Sequence, residues 1–245
     1  GPFITFRGAS MAYNFLDLTN EVISRFNEVV LTESGFVSSR GFQTQCKNAV
    51  NDAINYVNQK EYSWPFNHTT QTDVLTATTT RYTIPANAKH VDYDTFRLVK
   101  DDALGCGGGK LRILDYKEYL GRNISQEDEV DVGAVPTNVF RTPDNNYGLY
   151  PYPDKAYSVK YEYYLYTTSL VEALDAPTIP QQYRQVIVDG ATAYGYQYRG
   201  EASQYQLNFA RFEQGIKNMQ TLLANRADYI RSTVLSRNTT SLASL

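Results

Sequence analysis

Residues 202–223 read ASQYQLNFARFEQGIKNMQTLL, and their apolar positions decide the fold. Ala202, Tyr205, Phe209, Phe212, Ile216, Met219 and Leu223 step by 3, 4, 3, 4, 3 and 4. That spacing predicts an amphipathic helix carrying a seam of about three heptads, near the lower limit for a coiled coil. A seam this short fits one side of an intramolecular bundle, provided that other helices offer matching stripes.

They do. A helix is predicted after Pro180, a residue suited to the first helical position. Tyr183, Val186, Ile187, Ala191, Tyr194 and Tyr198 trace its face, and Gly190, Ala193 and Gly195 are small enough for a neighbouring helix to approach closely. Gly200 is a natural stop. Near the other end, Val22, Phe26, Val29 and Val30 predict a helix over Leu16–Val30, with Thr32–Ser39 as a loop. Phe42, Cys46, Ala49, Ala53 and Tyr56, widened by Val50, Ile54 and Val57, predict another over Arg40–Gln59. Trp64-Pro65-Phe66 closes it, because proline disfavours helix in the residue before it.

Between the two helix pairs the texture changes. From about Phe66 to Thr168, Thr, Tyr and Val dominate, with Pro and Gly as punctuation. Tyr157, Val159, Tyr161, Tyr163 and Leu165 alternate with polar residues, as in an antiparallel sheet with one wet face. Short strands are expected at Tyr82–Ile84 and Leu111–Ile113. Val91 and Tyr93 share one parity and Phe96 and Leu98 the other, so a bulge is expected at Asp94-Thr95. Loops are placed at Asp101–Gly109, Gln126–Pro136 and Thr142–Lys155. The expected fold is α+β: a helical bundle from residues 11–65 and 170–228, with residues 66–169 inserted as an antiparallel β domain. Residues 229–245 form a tail, flexible or ordered by a partner. Residues 1–10 are expected to be a remnant ahead of a natural start at Met11.

Composition bounds the function. The 245 residues are 42% hydrophobic with a formal net charge of −3, a globular balance that does not grip DNA by bulk electrostatics. Lys89, Arg97, Lys100, Lys110 and Arg112 are scattered among acids. No apolar run is long enough to span a membrane, and residues 1–10 do not read as a signal peptide. Tyrosine is unusually frequent, 21 residues in all, which leans toward protein–protein contact. Cys46 and Cys106 make no disulfide framework and are expected to be free in a reducing cytoplasm. The sequons at Asn67, Asn123 and Asn238 are then chance matches.

No motif stages chemistry. His68 and His90, the only histidines, lack a second histidine at metal-ligand spacing. Neither a nucleophile elbow nor a zinc-protease motif occurs. Leu104–Leu111 superficially resembles a phosphate loop, but Leu104 stands where glycine is needed and Leu111 where Ser or Thr is needed. A hairpin tip is expected there. Glu127, Asp128, Glu129 and Asp131 could supply paired carboxylates; adjacent acids in a loop are expected to stay solvated. No catalytic, cofactor-binding or metal residue is assigned, and the chain is read as not an enzyme.

Four phrases carry a resemblance: LDLTNEVISRFNEVVLTESGF (16–36), CKNAVNDAINYVNQKEYSWPFN (46–67), LYPYPDKAYSVKYEYYLYTTSL (149–170) and PTIPQQYRQVIVDGATAYGYQYRGE (177–201). In this order and spacing the chain resembles the head-to-tail adaptor, or tail tubular protein A, family of T7-like short-tailed bacteriophages. The resemblance covers nearly all of residues 11–228; most departures lie in the β region. It implies a homo-oligomeric ring, dodecameric in the family, with portal protein and tail nozzle as partners and tail fibres as a further one. The bundle would sit under the portal, the β region would face the nozzle, and residues 229–245 would dock on the portal. DNA would pass through the lumen without sequence-specific binding. No membrane or cofactor is implied, and the place is the virion tail after assembly in the host cytoplasm. Tyrosine-rich and small-residue helix faces are the expected lateral contacts. Two other classes are weighed against this: a peptidoglycan hydrolase using Glu127 and Glu129, and a receptor- or glycan-binding module on the β region.

Overall fold

The computed structural model describes residues 12–129 and 133–223. The chain is α+β, with helices toward both ends and two four-stranded, mainly antiparallel sheets between them. Residues 1–10, Asp131 and the expected tail 229–245 lie outside the described residues.

Helix α1 spans Phe15–Arg25. Asn14 caps it, its side chain accepting from Asp17 N at 2.8 Å. Two more first-turn donors are satisfied from far along the chain: Phe15 N donates to Asp175 O and Leu16 N to Ala173 O. The expectation of helix to Val30 fails, because Phe26 closes α1 and Asn27 turns left-handed at φ 56°. Asparagine tolerates that conformation better than most residues. Val29 and Val30 are therefore exposed. The expected loop 32–39 contains a single-turn helix, α2 (Glu33–Phe36), capped by Thr32 and burying Phe36.

Helix α3 (Phe42–Lys60) buries Cys46, Ala49, Val50, Ala53, Ile54 and Val57, the expected stripe. It ends four residues short of Trp64, so Pro65 is not what stops it. Trp64 instead folds back, its indole N–H donating to Val57 O at 2.8 Å. Helix α5 (Arg184–Arg199) ends where expected: Gly200 is left-handed at φ 76°, and Gly200 N and Glu201 N donate to Gln197 O and Tyr196 O.

Helix α6 (Ala202–Leu223) packs on α5, α5 on α3, and α1 on both α3 and α5. Phe212, Ile216 and Met219 of the heptad seam are buried in the cluster shared by all four helices. The small residues of α5 make the close approach. A Cβ on Gly190 would lie 2.6 Å from the Phe212 ring, and one on Gly195 2.7 Å from Phe26. The close approach of a neighbouring helix expected at Gly190, Ala193 and Gly195 is thus present, with all three buried within the subunit. Arg25–Asp189 (2.8 Å), Arg184–Glu21 (2.7 Å) and Arg199–Glu28 (2.6 Å) tie the α1 segment to α5.

Between the helices, one sheet has the order β1 (His68–Val74), β8 (Ser158–Leu165), β3 (Ala88–Leu98), β4 (Gly109–Lys110). The other runs β2 (Arg81–Tyr82), β7 (Tyr147–Tyr150), β6 (Asn138–Arg141), β5 (Arg112–Ile113). Val159, Tyr161 and Tyr163 face inward on β8, as the alternation required. The bulge expected at Asp94-Thr95 is present. Pairing of β3 with β8 jumps from Asp92↔Glu162 to Arg97↔Lys160, and the Thr95 hydroxyl fills the gap by accepting from Glu162 N and donating to Asp92 O.

Leu111 is the point where the chain leaves the first sheet for the second, which is why it is buried while Ile113 is exposed. Three readings of this region change. Strand β7 lies inside the expected loop 142–155, with Tyr147, Gly148 and Leu149 buried. Strand β5 pairs with β6 in parallel, a departure from the all-antiparallel expectation. A parallel pair needs a crossover, and helix α4 (Tyr116–Arg122), absent from the sequence reading, lies on it. Asp115 caps α4, accepting from Lys117 N and Glu118 N.

Candidate functional site

The residues weighed for chemistry are distributed over the β region, and each has a structural assignment. Glu127, in a 3-10 turn after α4, accepts from Arg81 Nε at 2.8 Å and from the Tyr119 hydroxyl at 2.9 Å. It is thus paired at the surface, and Glu127, Asp128 and Glu129 are all exposed, as expected of acids in a loop. Glu129 offers its backbone carbonyl to Tyr152 OH, and Asp128 is exposed. The Tyr119 hydroxyl also accepts from buried Gln126, whose amide donates to Leu149 O and accepts from Tyr152 N. Sequence reading missed Gln126. A glutamine in an acidic loop gives no periodic signal, and only the fold reveals that it bridges α4 to β7.

The glycine run 105–109 is a hairpin tip: β3 and β4 pair there, and Asp101 and Cys106 bridge across it. Gly108 and Gly109 have φ of 73° and 126°, and a Cβ on Gly108 would lie 3.0 Å from Lys100 N. Cys106 is buried at the edge of the sheet core. Cys46 is free too, and burial pushes its thiol up to about 12. Among the described residues no group of His, Cys, Asp and Glu could hold a metal ion. No described helix is long and apolar enough to cross a membrane.

The two histidines, 22 positions apart in sequence, come together on one face of the first sheet. His68 pairs with Tyr164 across β1–β8 and His90 with Tyr164 across β3–β8. The rings form a His–Tyr–His row with centroids 5.6 and 6.4 Å apart. His68 Nε2 lies 3.7 Å from Glu162, and Tyr62 packs edge-on to His90 at 4.6 Å. This row floors an open groove of ≈820 Å³ that also takes in Asp92, Asp94 and Leu223. No serine or cysteine nucleophile lines it except Ser63, which is hydrogen-bonded to Glu61.

Beneath the opposite face lies the aromatic centre of the β region. Phe96 stacks on Tyr161 at 4.4 Å and meets Tyr147 at 5.0 Å, joining the two sheets. Both tyrosine hydroxyls donate to one carboxylate oxygen, Asp73 Oδ2, at 2.9 and 3.0 Å. Burial, reinforced by the Asp73 charge, holds both phenols well above the ordinary tyrosine range.

Helices and sheets are joined by a polar cluster. Asn58 of α3 donates to Thr167 and accepts from Asn67, which accepts from Thr178. Lys89 of β3 donates to the carbonyls of Asn58 and Glu61 at the end of α3. Burial lowers its affinity for a proton. Asn67 is 2% exposed, so its sequon is physically closed to a glycan; Asn238 is outside the described residues. The weighed cations are likewise dispersed: Arg97 meets Glu162 at 3.7 Å and Lys100 meets Asp102 at 3.9 Å.

The geometry is thus one of joints, caps and cores. A comparison with curated proteins finds no match. A family model does match: that of the SU10 adaptor protein, over residues 13–238, which takes in both helix pairs and both sheets. This chain belongs to the SU10 adaptor protein family, and with it to the structural adaptors of the bacteriophage head–tail junction.

Proposed function

We propose that this chain is a ring-forming head-to-tail adaptor of a short-tailed bacteriophage, of the tail tubular protein A kind. It joins the portal to the tail nozzle and forms part of the channel through which DNA leaves. Family membership over nearly the whole chain is the observation that carries this reading. The helices act as a bundle of N- and C-terminal pairs from which residues 66–169 protrude as an insertion. The shared helical core and the backbone bonds from α1 to Asp175 and Ala173 support that division. Subunits assemble in the host cytoplasm and close into a ring, twelve in number by analogy, through a heterologous interface whose rotation divides the circle.

The exposed apolar side chains of Val29, Val37, Val171, Leu174 and Leu222 support lateral burial, since they are solvent-facing in the single subunit. The chain performs no chemistry of its own: Glu127 is held by Arg81 and Tyr119, and the weighed histidines face a sheet surface. A dispersed set of cations and a net charge of −3 suit a wall along which DNA slides.

Electron microscopy of the chain mixed with its portal tests the proposal. A ring of density extending the portal is expected, and a portal left unextended overturns it. A zymogram on peptidoglycan tests the absence of chemistry. Clearing that vanishes in Glu127→Gln or Glu129→Gln would put an enzyme in its place.

A further inference from the structure

The groove over the His68–Tyr164–His90 row has a wall that is itself the end of a helix. Leu223, the last described residue of α6, lines it. The chain beyond Leu223 is therefore tethered at the groove. Residues 224–245 read ANRADYIRSTVLSRNTTSLASL. Arg226, Arg231 and Arg237 face a single acid, Asp228, so this segment is basic in an otherwise acidic chain. The groove has the opposite character: Asp92 and Asp94 line it, and no lysine or arginine does. Tyr62, His68, His90 and Tyr164 give it rings, beside Ser63, Pro65 and Leu223.

We propose that this groove is the seat of the chain's own segment 224–237, with Arg226 and Arg231 as its anchors. Three features converge. Three residues span at most about 11 Å, which ties Arg226 to the neighbourhood of a groove whose lining Leu223 shares with Asp92 and Asp94. Arginine pairs with carboxylates and stacks on aromatic planes, and the groove offers both. The same chain uses that pairing elsewhere: Arg199 lies over the Phe26 and Phe42 rings at 4.9 and 4.1 Å while bonding Glu28. The inference stands apart from the adaptor reading, because it concerns the single subunit. Its consequence for assembly is that any partner recruiting the segment must first lift it from an acidic, aromatic bed.

The chain supplies its own probe. It has two histidines and both floor the groove, so ring-carbon-enriched histidine gives two resonances that report on this surface alone. A nitroxide on Ser232→Cys of the full chain is selective, because Cys46 and Cys106 are buried. Loss of both histidine signals is expected in the labelled chain, with recovery on reducing the nitroxide. Recovery is also expected in Asp92→Asn/Asp94→Asn and in Arg226→Gln/Arg231→Gln. The second pair leaves the described residues untouched and so separates docking from folding. A mixture of enriched, unlabelled chains with spin-labelled, unenriched chains should keep both signals. The proposal is overturned if the signals survive in the labelled chain, or if either double variant leaves them quenched. Loss in the mixture also overturns it, since the occupant would then be the segment of a second copy.

Discussion

The helical and sheet regions are held together by different physics. Among the helices the core is a jigsaw of aliphatic side chains and mostly hydroxyl-free rings, with Gly190 and Gly195 cut away for Phe212 and Phe26. In the sheets it is a stack of rings, and most hydroxyls in that stack need an acceptor: Tyr147 and Tyr161 share Asp73, Tyr157 uses Asp154, Tyr93 uses Asn146 O and Tyr82 uses Thr76 O and Thr79 O. The first kind of core is sensitive chiefly to volume, and the titratable groups it shifts are few: burial raises Cys46, Tyr194 and Tyr13. The second carries a hydrogen-bond obligation with nearly every large residue, because a buried hydroxyl without a partner costs free energy.

Alkali should separate the two most sharply. Tyr147 and Tyr161 are held above the ordinary range, and burial takes Tyr93, Tyr119 and Tyr157 up to about 12. A phenol that keeps its proton in the folded state while the unfolded chain loses it contributes stability that is intact below pH ~10 and falls as pH rises beyond it. Each such tyrosine costs up to about 1.4 kcal/mol per pH unit, so several together exhaust a stability of about 5–15 kcal/mol within a few units. Tyrosinate absorbance should rise in step with the loss of sheet signal in circular dichroism. Stepwise ionisation with the sheets intact would erase the contrast.

Next in size is Phe96→Ala, which removes the ring joining the two sheets. It should cost about 3–5 kcal/mol in denaturant unfolding, as should Phe212→Ala among the helices. Asp73→Ala should cost about 2–3 kcal/mol by stranding two hydroxyls, and most of that should return when Tyr147→Phe and Tyr161→Phe are added. No recovery in that cycle would mean that the carboxylate matters for some other reason. Gly190→Ala forces a Cβ into the Phe212 ring and should cost about 1–3 kcal/mol, with Phe212→Leu in the same chain relieving part of it. The smallest effect is expected from Arg122→Ala. It breaks an exposed pair with Glu118 and should change the melting midpoint by less than a ΔΔG of about 0.5 kcal/mol.

The same contrast explains what the sequence revealed. Helical periodicity is a local record of burial, so the stripes of α3 and α6 and the Gly200 stop were legible. So was the Thr95 bulge, because a bulge flips side-chain parity. Val29 and Val30 misled because they continue the stripe of α1 past a left-handed Asn27, which only the backbone records. Helix α4 was missed because seven residues with one buried side chain, Tyr119, carry no period; the signal available was Asp115 followed by Glu118 at capping distance. The tyrosine excess suggested contact between proteins. Part of it instead is buried in the β region, with Tyr147, Tyr157, Tyr161 and Tyr163 in the sheet core and Tyr119 and Tyr152 outside that cluster. Of the candidate site, the types of residue were visible but their company was not. Nothing in the order of the chain puts His68 and His90 on either side of Tyr164, since that neighbourhood is created by strand pairing at long range.

Lys89 fastens the sheets to the helices. Its ammonium sits at the start of the longest strand, β3, and holds the carbonyl end of the long helix α3. Those carbonyls are the negative pole of the helix, so strand and rod attract along the rod's own axis. The sheets are thereby fastened to the last turn of α3 at two points, the Lys89 ammonium and the Asn58–Asn67–Thr178 link.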